Sequence, residues 1–435
     1  MLPALTASRH APIINLSMRV IHKMKLTYVT ALLLLVHVSG YGQATVDFTY
    51  KTFGLENEEA NVIQNAAHLE EFFDELIRLK VTGKGKINIV HIGDSHIQGD
   101  YLTDEVRANF QRDFGNAGRG LIVPYRVAGT NEPANFRTSS SSVWLSKRCV
   151  HPAQPLPIGI GGVTVSTDQP QTDLTIRVNS TEQRDYSFNA VTVFFQKDST
   201  SFHFSVRDTA NTELAYIGPY PDGPFVNSSR ALLPRAVEQI TLRTVNPNEG
   251  RRQAVIFGIT LENRHPGILY HAIGVNGAKY AHYNAAIHFA RQTQALHPAL
   301  FIISLGTNES VDYPVLDPLI PQHIDKLVQS LREYNPQAKF ILVTPPDSFR
   351  KKTKPNPGIE TIRQHIIQYA VENGLAFWDM YKATGGKESA PQWKNKGLLR
   401  PDGIHFSRDG YAYQGDLFYQ AIMKRYNNYV SLRHP

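Results

Sequence analysis

Four short stretches of this chain carry residues able to do chemistry together. Gly93-Asp-Ser-His96 puts an alcohol, Ser95, where an apolar strand pattern gives way to a helical one. A serine at such a turn presents its hydroxyl to a cleft and its own backbone N–H to a developing oxyanion, at the helix end that favours negative charge. Asp402-Gly-Ile-His405 sets a carboxylate three residues before an imidazole. In a compact turn that spacing lets Asp402 hold one ring nitrogen of His405 and leaves the other free to take a proton from an alcohol. Gly306-Thr-Asn-Glu309 follows a strongly apolar run, and the Asn308 amide there could be an oxyanion donor. Gly277, in Gly274-Val-Asn-Gly277, could give a backbone N–H for the same purpose. Each stretch also has an ordinary reading. Asp94 or Ser95 serves as a helix N-cap, Asn308 and Asp402-Gly403 as turn formers, and Gly277 as a tight turn. Their order along the chain joins them: a serine turn, a glycine turn, an asparagine turn and an Asp-x-x-His loop. Taken together they could supply an alcohol at Ser95, an acceptor for its proton at His405 oriented by Asp402, and donors to an oxyanion from the N–H groups of Ser95 and Gly277 and the amide of Asn308. His96 adjoins the nucleophile but points elsewhere, so it reads as a support or substrate contact, and Asp94 as a shaper of the turn. Glu309, Trp378 and Asp379 line or brace the cleft.

Strands and helices must bring these stretches together. Ile87–Ile92 is a short buried-strand pattern ahead of Ser95, after a helical period over Asn61–Leu79 and before another over Tyr101–Phe114. Ile268–Ile273, Ala299–Leu305, Lys339–Thr344 and Leu375–Trp378 read as further strands. The intervening Lys279–Thr293, Pro321–Tyr334, Gly358–Asn373 and a closing Tyr411–Tyr426 read as helices. Such alternation predicts an α/β fold with a doubly wound parallel sheet and helices on both faces. In that fold ligands gather at the carboxyl ends of the strands. From about 150 to 262 the texture changes to short runs rich in Val, Ile, Phe and Thr, such as Asp173–Val178 and Gln239–Val245, separated by turn residues. An antiparallel β-sandwich is expected there, inserted into the α/β domain. The expected organisation is a signal peptide over 1–42, a first part of the α/β domain over 43–149, the insertion over 150–262 and the second part over 263–435.

Charge narrows the partners. The formal charge is +7, but Arg9, Arg19, Lys23 and Lys25 fall in the first 42 residues, which hold no Asp or Glu, and no basic stripe with interleaved aromatics follows. Nucleic acid is therefore not an expected partner. Lys23 and Lys25 precede the apolar run Leu26–Val38, and Gly40 and Gly42 follow it, the pattern of a secretory signal cut after Gly42. Met18 and Met24 are alternative starts. The run is short for a membrane span, so an exported protein, periplasmic or extracellular, without stable membrane insertion is expected. The lone Cys149 excludes an internal disulfide and a cysteine metal cluster. No metal or cofactor is expected.

The order of these blocks resembles that of the SGNH (GDSL-like) hydrolase family. Gly93-Asp-Ser-His96 resembles its nucleophile block, Gly277 its second, Gly306-Thr-Asn308 its third and Asp402 to His405 its fifth. The resemblance implies ester hydrolysis through an acyl-enzyme, with Ser95 as nucleophile, His405 as base and acid, and Asp402 orienting it. Within the family the chain looks most like bacterial peptidoglycan O-acetylesterases, on His96, Phe114-Gly-Asn-Ala-Gly-Arg-Gly120, Ile273–Ala278, Phe377-Trp-Asp-Met380 and Trp393. That likeness implies a carbohydrate-module-like insertion and an acetylated glycan, first peptidoglycan, as substrate. The alternatives are deacetylation of another polysaccharide such as xylan, acetyl transfer from the same acyl-enzyme, and a non-catalytic carbohydrate-binding protein.

Overall fold

The computed structural model describes residues 44–151, 157–219, 227–246, 250 and 252–433. The expected signal segment lies outside the described residues, as does part of the Pro- and Gly-rich run at 152–162. No described helix is long and apolar enough to cross a membrane.

The run Ile87–Ile92 is apolar on both sides, and it forms an inner strand, Lys86–Gly93, of a six-stranded sheet. Gly267–Gly274 pairs with it in parallel on one side and Pro298–Ser304 on the other. Lys339–Val343 and Ala376–Trp378 extend the parallel sheet. Ile63–Gln64 closes the far edge antiparallel. Successive side chains point to opposite faces. Ile87 and Ile89 join the core beneath the closing helix Arg408–Arg433, while Val90 and Ile92 join the core continuous with the inserted sheets. The closing helix lies along Tyr101–Phe114, where Phe110 meets Tyr419 edge-on at 4.9 Å. The strand order reverses between Lys86–Gly93 and Pro298–Ser304, the switch point at which doubly wound sheets open a crevice. Ser95 follows one of these strands and Asn308 the other.

The insertion is two antiparallel sheets. One orders Glu213–Ile217, His203–Arg207, Gln239–Val245, Asp173–Val178 and Phe136–Ser139. The other orders Ser228–Val237, Phe188–Phe195, Ala254–Glu262, Val163–Thr167 and Leu145–Arg148, with Gly120–Ile122 also pairing Ala254–Glu262. Alternate residues of Gln239–Val245 are buried, and Phe195 of one sheet meets Phe204 of the other at 5.2 Å.

Three sequence expectations change. The sandwich does not begin at 150: Phe136–Ser139 and Leu145–Arg148 belong to its sheets, and Gly120–Ile122 leads into it. These strands are short and half exposed, so they lack an apolar run. The helix expected over Lys279–Thr293 is two pieces, Tyr280–Asn284 and Phe289–Thr293, because the His288 N–H leaves the helical ladder for the carbonyl of Ile158. The helix expected from Asn61 starts later, as an edge strand and a 3-10 turn over Ala66–Leu69 run into Glu70–Thr82.

Candidate active site

The turn that carries Ser95 is set by close packing. A Cβ on Gly93 would lie 2.2 Å from Ile97 and 2.8 Å from the carbonyl oxygen of Ser304, so only glycine fits between the strand and the short helix Ser95–Gln98. Gly274 is equally constrained, its missing Cβ falling 2.1 Å from the backbone nitrogen of Gln98. Asp94 caps the helix by accepting the His96 N–H at 2.9 Å. Ser95 is thereby held at the first helical position, half-buried.

His405 arrives from 310 residues away, and its Nε2 lies 2.8 Å from the Ser95 Oγ. Its Nδ1 lies 3.1 Å from Asp402 Oδ2. The other oxygen of Asp402 accepts the backbone N–H groups of Ile404 at 2.8 Å and His405 at 2.9 Å. Partial burial alone would raise the Asp402 carboxyl. Those N–H groups and the His405 ring outweigh it, and the carboxyl sits below its ordinary value. An ionised Asp402 fixes the tautomer with a proton on Nδ1, so Nε2 is the nitrogen facing the alcohol.

The backbone N–H groups of Ser95 and Gly277 have no hydrogen-bond partner among the described residues. Gly277 adopts φ +80°, and nothing stands within 4 Å of where its Cβ would be, so the turn faces open space. Asn308 is placed beside both. Its amide donates to Asp94 Oδ2 at 3.1 Å and to the carbonyl of Ala278 at 3.0 Å, so both amide hydrogens are engaged. The structure thus gathers Ser95, Asp402 and His405 into one hydrogen-bonded line, with Asp94 and Asn308 bonded to each other beside its serine end.

Below Asn308 lie two buried carboxyls. Glu309 accepts the Tyr280 N–H at 2.8 Å, and its other oxygen is buried without a partner among the described residues. Burial pushes both Glu309 and Asp94 up to about 7, and for Asp94 the charge of Glu309 adds to the rise. A carboxyl whose folded value is raised binds more protons folded than unfolded, so stability falls as pH rises from about 4 to about 7. Glu309→Gln is expected to be more stable than the parent at pH 8, by at most about 3 kcal/mol, with the gap closing by pH 4. Melting temperatures at those two pH values check it. A gap that does not shrink on acidification would contradict the assignment.

His96 does not touch Ser95. Its Nδ1 bonds the Tyr411 hydroxyl at 2.9 Å, and its ring packs 5.4 Å from that of His405. Burial first, and the neighbouring His405 second, hold it well below the ordinary histidine range, so it stays neutral. Glu309 lies under the site. Trp378 and Asp379 serve the scaffold: Trp378 donates to Asn61 at 3.0 Å, and Asp379 takes Arg363 in a fork at 2.8 and 2.7 Å.

Sequence reasoning missed the network behind the Ser95 turn. Asp100, buried and in the left-handed region at φ +56°, accepts Arg107 at 2.9 Å, Arg119 at 2.6 Å and Asn135 at 2.7 Å. Asp104, one turn on, takes Arg107 at 2.8 Å and also the Arg184 guanidinium and the Tyr186 hydroxyl from the insertion. The one available signal was the Asp104/Arg107 spacing, which on a helix usually marks an exposed pair.

Residues 217–413 match the GDSL-like Lipase/Acylhydrolase family. The span contains Gly277, Asn308, Asp402 and His405, whereas Ser95 lies before it, separated by most of the insertion. No curated protein matches the chain. Among solved structures, a peptidoglycan O-acetylesterase superposes with a TM-score of 0.69 at 21% identity, covering 86% of this chain and 100% of that one. That is a likeness of fold, and it takes in the inserted sheets. A lipase/acylhydrolase from Enterococcus faecalis shares 19% identity over 37% of this chain and 78% of its own, with a TM-score of 0.29. An acetylxylan esterase from Geobacillus stearothermophilus shares 20% over 36% and 73%, with a TM-score of 0.27.

Proposed function

From the premise that this chain is a hydrolase of the GDSL/SGNH family, we propose that it removes O-acetyl groups from a cell-envelope glycan, peptidoglycan first. The observation that carries the reading is the line of hydrogen bonds from Asp402 through His405 to Ser95, at 3.1 and 2.8 Å.

In this reading Ser95 Oγ attacks the acetyl carbonyl and its proton passes to His405 Nε2. The carbonyl oxygen becomes an oxyanion that accepts the N–H groups of Ser95 and Gly277. Asn308 joins them as the third donor, turning one amide hydrogen from Asp94 toward the new charge. His405 then gives its proton to the departing sugar oxygen, the C–O bond breaks, and the acetyl group stays on Ser95. Water, deprotonated by His405, attacks that ester, and acetate leaves as the proton returns to Ser95 Oγ. Asp402 holds Nδ1–H throughout and stabilises the imidazolium between the two steps.

Two lines support a glycan. The fold likeness over 86% of this chain is to a peptidoglycan O-acetylesterase, and the segment ahead of the described residues has the composition of an export signal, which would carry the enzyme to the periplasm or beyond. The purified protein is expected to release acetate from O-acetylated peptidoglycan at a higher kcat/KM than from acetylated xylan. Acetate release from xylan with none from peptidoglycan would overturn the substrate and keep the reaction.

A further inference from the structure

A groove of about 410 Å3 opens where the insertion meets the catalytic domain, of the size that small-molecule sites occupy. One wall is catalytic, with Tyr101 at the start of the helix Tyr101–Phe114 and Arg408 at the start of the closing helix. The other is the turn between Asp173–Val178 and Phe188–Phe195 of the sandwich, which presents Asn179, Thr181, Gln183 and Arg184.

The groove is joined to the reacting serine through packed rings. Tyr101 stacks on Tyr411, with centroids 6.2 Å apart and planes within 13°. The Tyr411 hydroxyl bonds His96, and His96 lies against His405. Arg408 is only three residues past His405. The groove and the reacting serine are thus connected in turn through Tyr101, Tyr411, His96 and His405.

Its two walls are fixed relative to each other. Arg184 bonds the carboxylates of Asp104 and Glu105, and the Tyr186 hydroxyl bonds Asp104. Asn116 donates to the carbonyl of Asp185 at 2.7 Å. These contacts consume the charges of Arg184, Asp104 and Glu105. Arg408 is different: it is exposed and forms no ion pair among the described residues. The groove thus offers amide and hydroxyl groups suited to sugar hydroxyls and one uncommitted guanidinium, whose planar fork matches a carboxylate.

We propose that this groove binds the glycan strand flanking the acetylated residue, and that Arg408 recognises a carboxylate carried by that strand. The substrate is then an acidic glycan, and the insertion is a wall of its binding site. The proposal rests on the esterase reading, and its test separates the two. Three substrates are compared: an O-acetylated peptidoglycan oligosaccharide with free carboxylates, the same oligosaccharide with its carboxylates amidated, and 4-nitrophenyl acetate, which is too small to span the groove. In the parent, kcat/KM for the acidic oligosaccharide should exceed that for the amidated one by roughly tenfold. Arg408→Gln should abolish that preference through KM. Gln183→Ala should lower the ratio of oligosaccharide to 4-nitrophenyl acetate kcat/KM for both oligosaccharides alike. If the parent does not distinguish the two oligosaccharides, or if both variants keep the parental ratios, the groove proposal is overturned while the esterase reading stands. If the parent hydrolyses none of the three, the esterase reading fails instead.

Discussion

Ser95→Ala is expected to leave a folded protein whose kcat on any acetyl ester has fallen by roughly 10^3-fold or more. The size follows from what the substitution removes. Without Oγ there is no acyl-enzyme, and His405 keeps its place with no alcohol to deprotonate. The remaining N–H groups of Ser95 and Gly277 still bind an oxyanion, so a residual rate above that of water is expected, with His405 assisting direct attack by water. Stability should hardly change, because Ser95 is half-buried and, among the described residues, its hydroxyl bonds only His405. Acetate release and the urea midpoint, measured on the same preparation, read both halves. An unchanged turnover number in a variant with the parental midpoint would remove the nucleophile from the mechanism.

The largest effect on stability is expected at a residue that does no chemistry. Asp100→Ala should lower the free energy of unfolding by about 3–5 kcal/mol. Arg107 and Arg119 are both fully buried beside this carboxylate, and without it one of the two cations has no full countercharge. Removing one member of a buried ionic group costs far more than the group contributes as a whole, because the survivors stay desolvated. Burial by itself would raise the Asp100 carboxyl. The two guanidiniums overcome it and hold the carboxyl far below the ordinary range. A carboxyl depressed on folding contributes stability at pH above about 4, and that contribution is lost as pH falls toward the folded value. The deficit of Asp100→Ala should therefore be largest near neutrality and shrink in acid, as denaturant midpoints at pH 7 and pH 3 would show. Arg119→Met supplies a second reading, since it removes one cation and leaves Asp100 paired with Arg107; it should cost less. Equal midpoints for parent and Asp100→Ala would mean that the network carries no net stability.

The parallel sheet was legible because its strands are apolar on both sides and bounded by glycine and asparagine turns, as at Gly93 and Gly306. The site residues were legible for a related reason: each stands directly after such a strand or in a short polar loop, where spacing alone brings partners together. Asp402 and His405 need only a turn. What spacing could not convey was depth. Asp104 and Arg107 look like any surface pair on a helix, yet both are buried, because Tyr186 and Arg184 of the insertion close over them. The short strands at 136–148 escaped notice for the opposite reason: half of their side chains face water, and partners distant in sequence define them. The double use of the Asn308 amide was equally hidden, since it depends on Ala278 and Asp94 converging from two other loops.

The position of Lys86–Gly93 inside the sheet bears on how the molecule comes to exist. Both strands that flank it lie beyond the insertion in the chain, so during synthesis this segment, mostly buried in the finished fold, has neither neighbour until the sandwich has been made. The sandwich pairs mostly strands closer in sequence and is able to form first. Until residues 267–304 arrive, the segment carries two bare edges, the exposure that leads strands to join across molecules. A polypeptide ending within the insertion should therefore self-associate, and a holding chaperone should favour that fragment over the full-length chain.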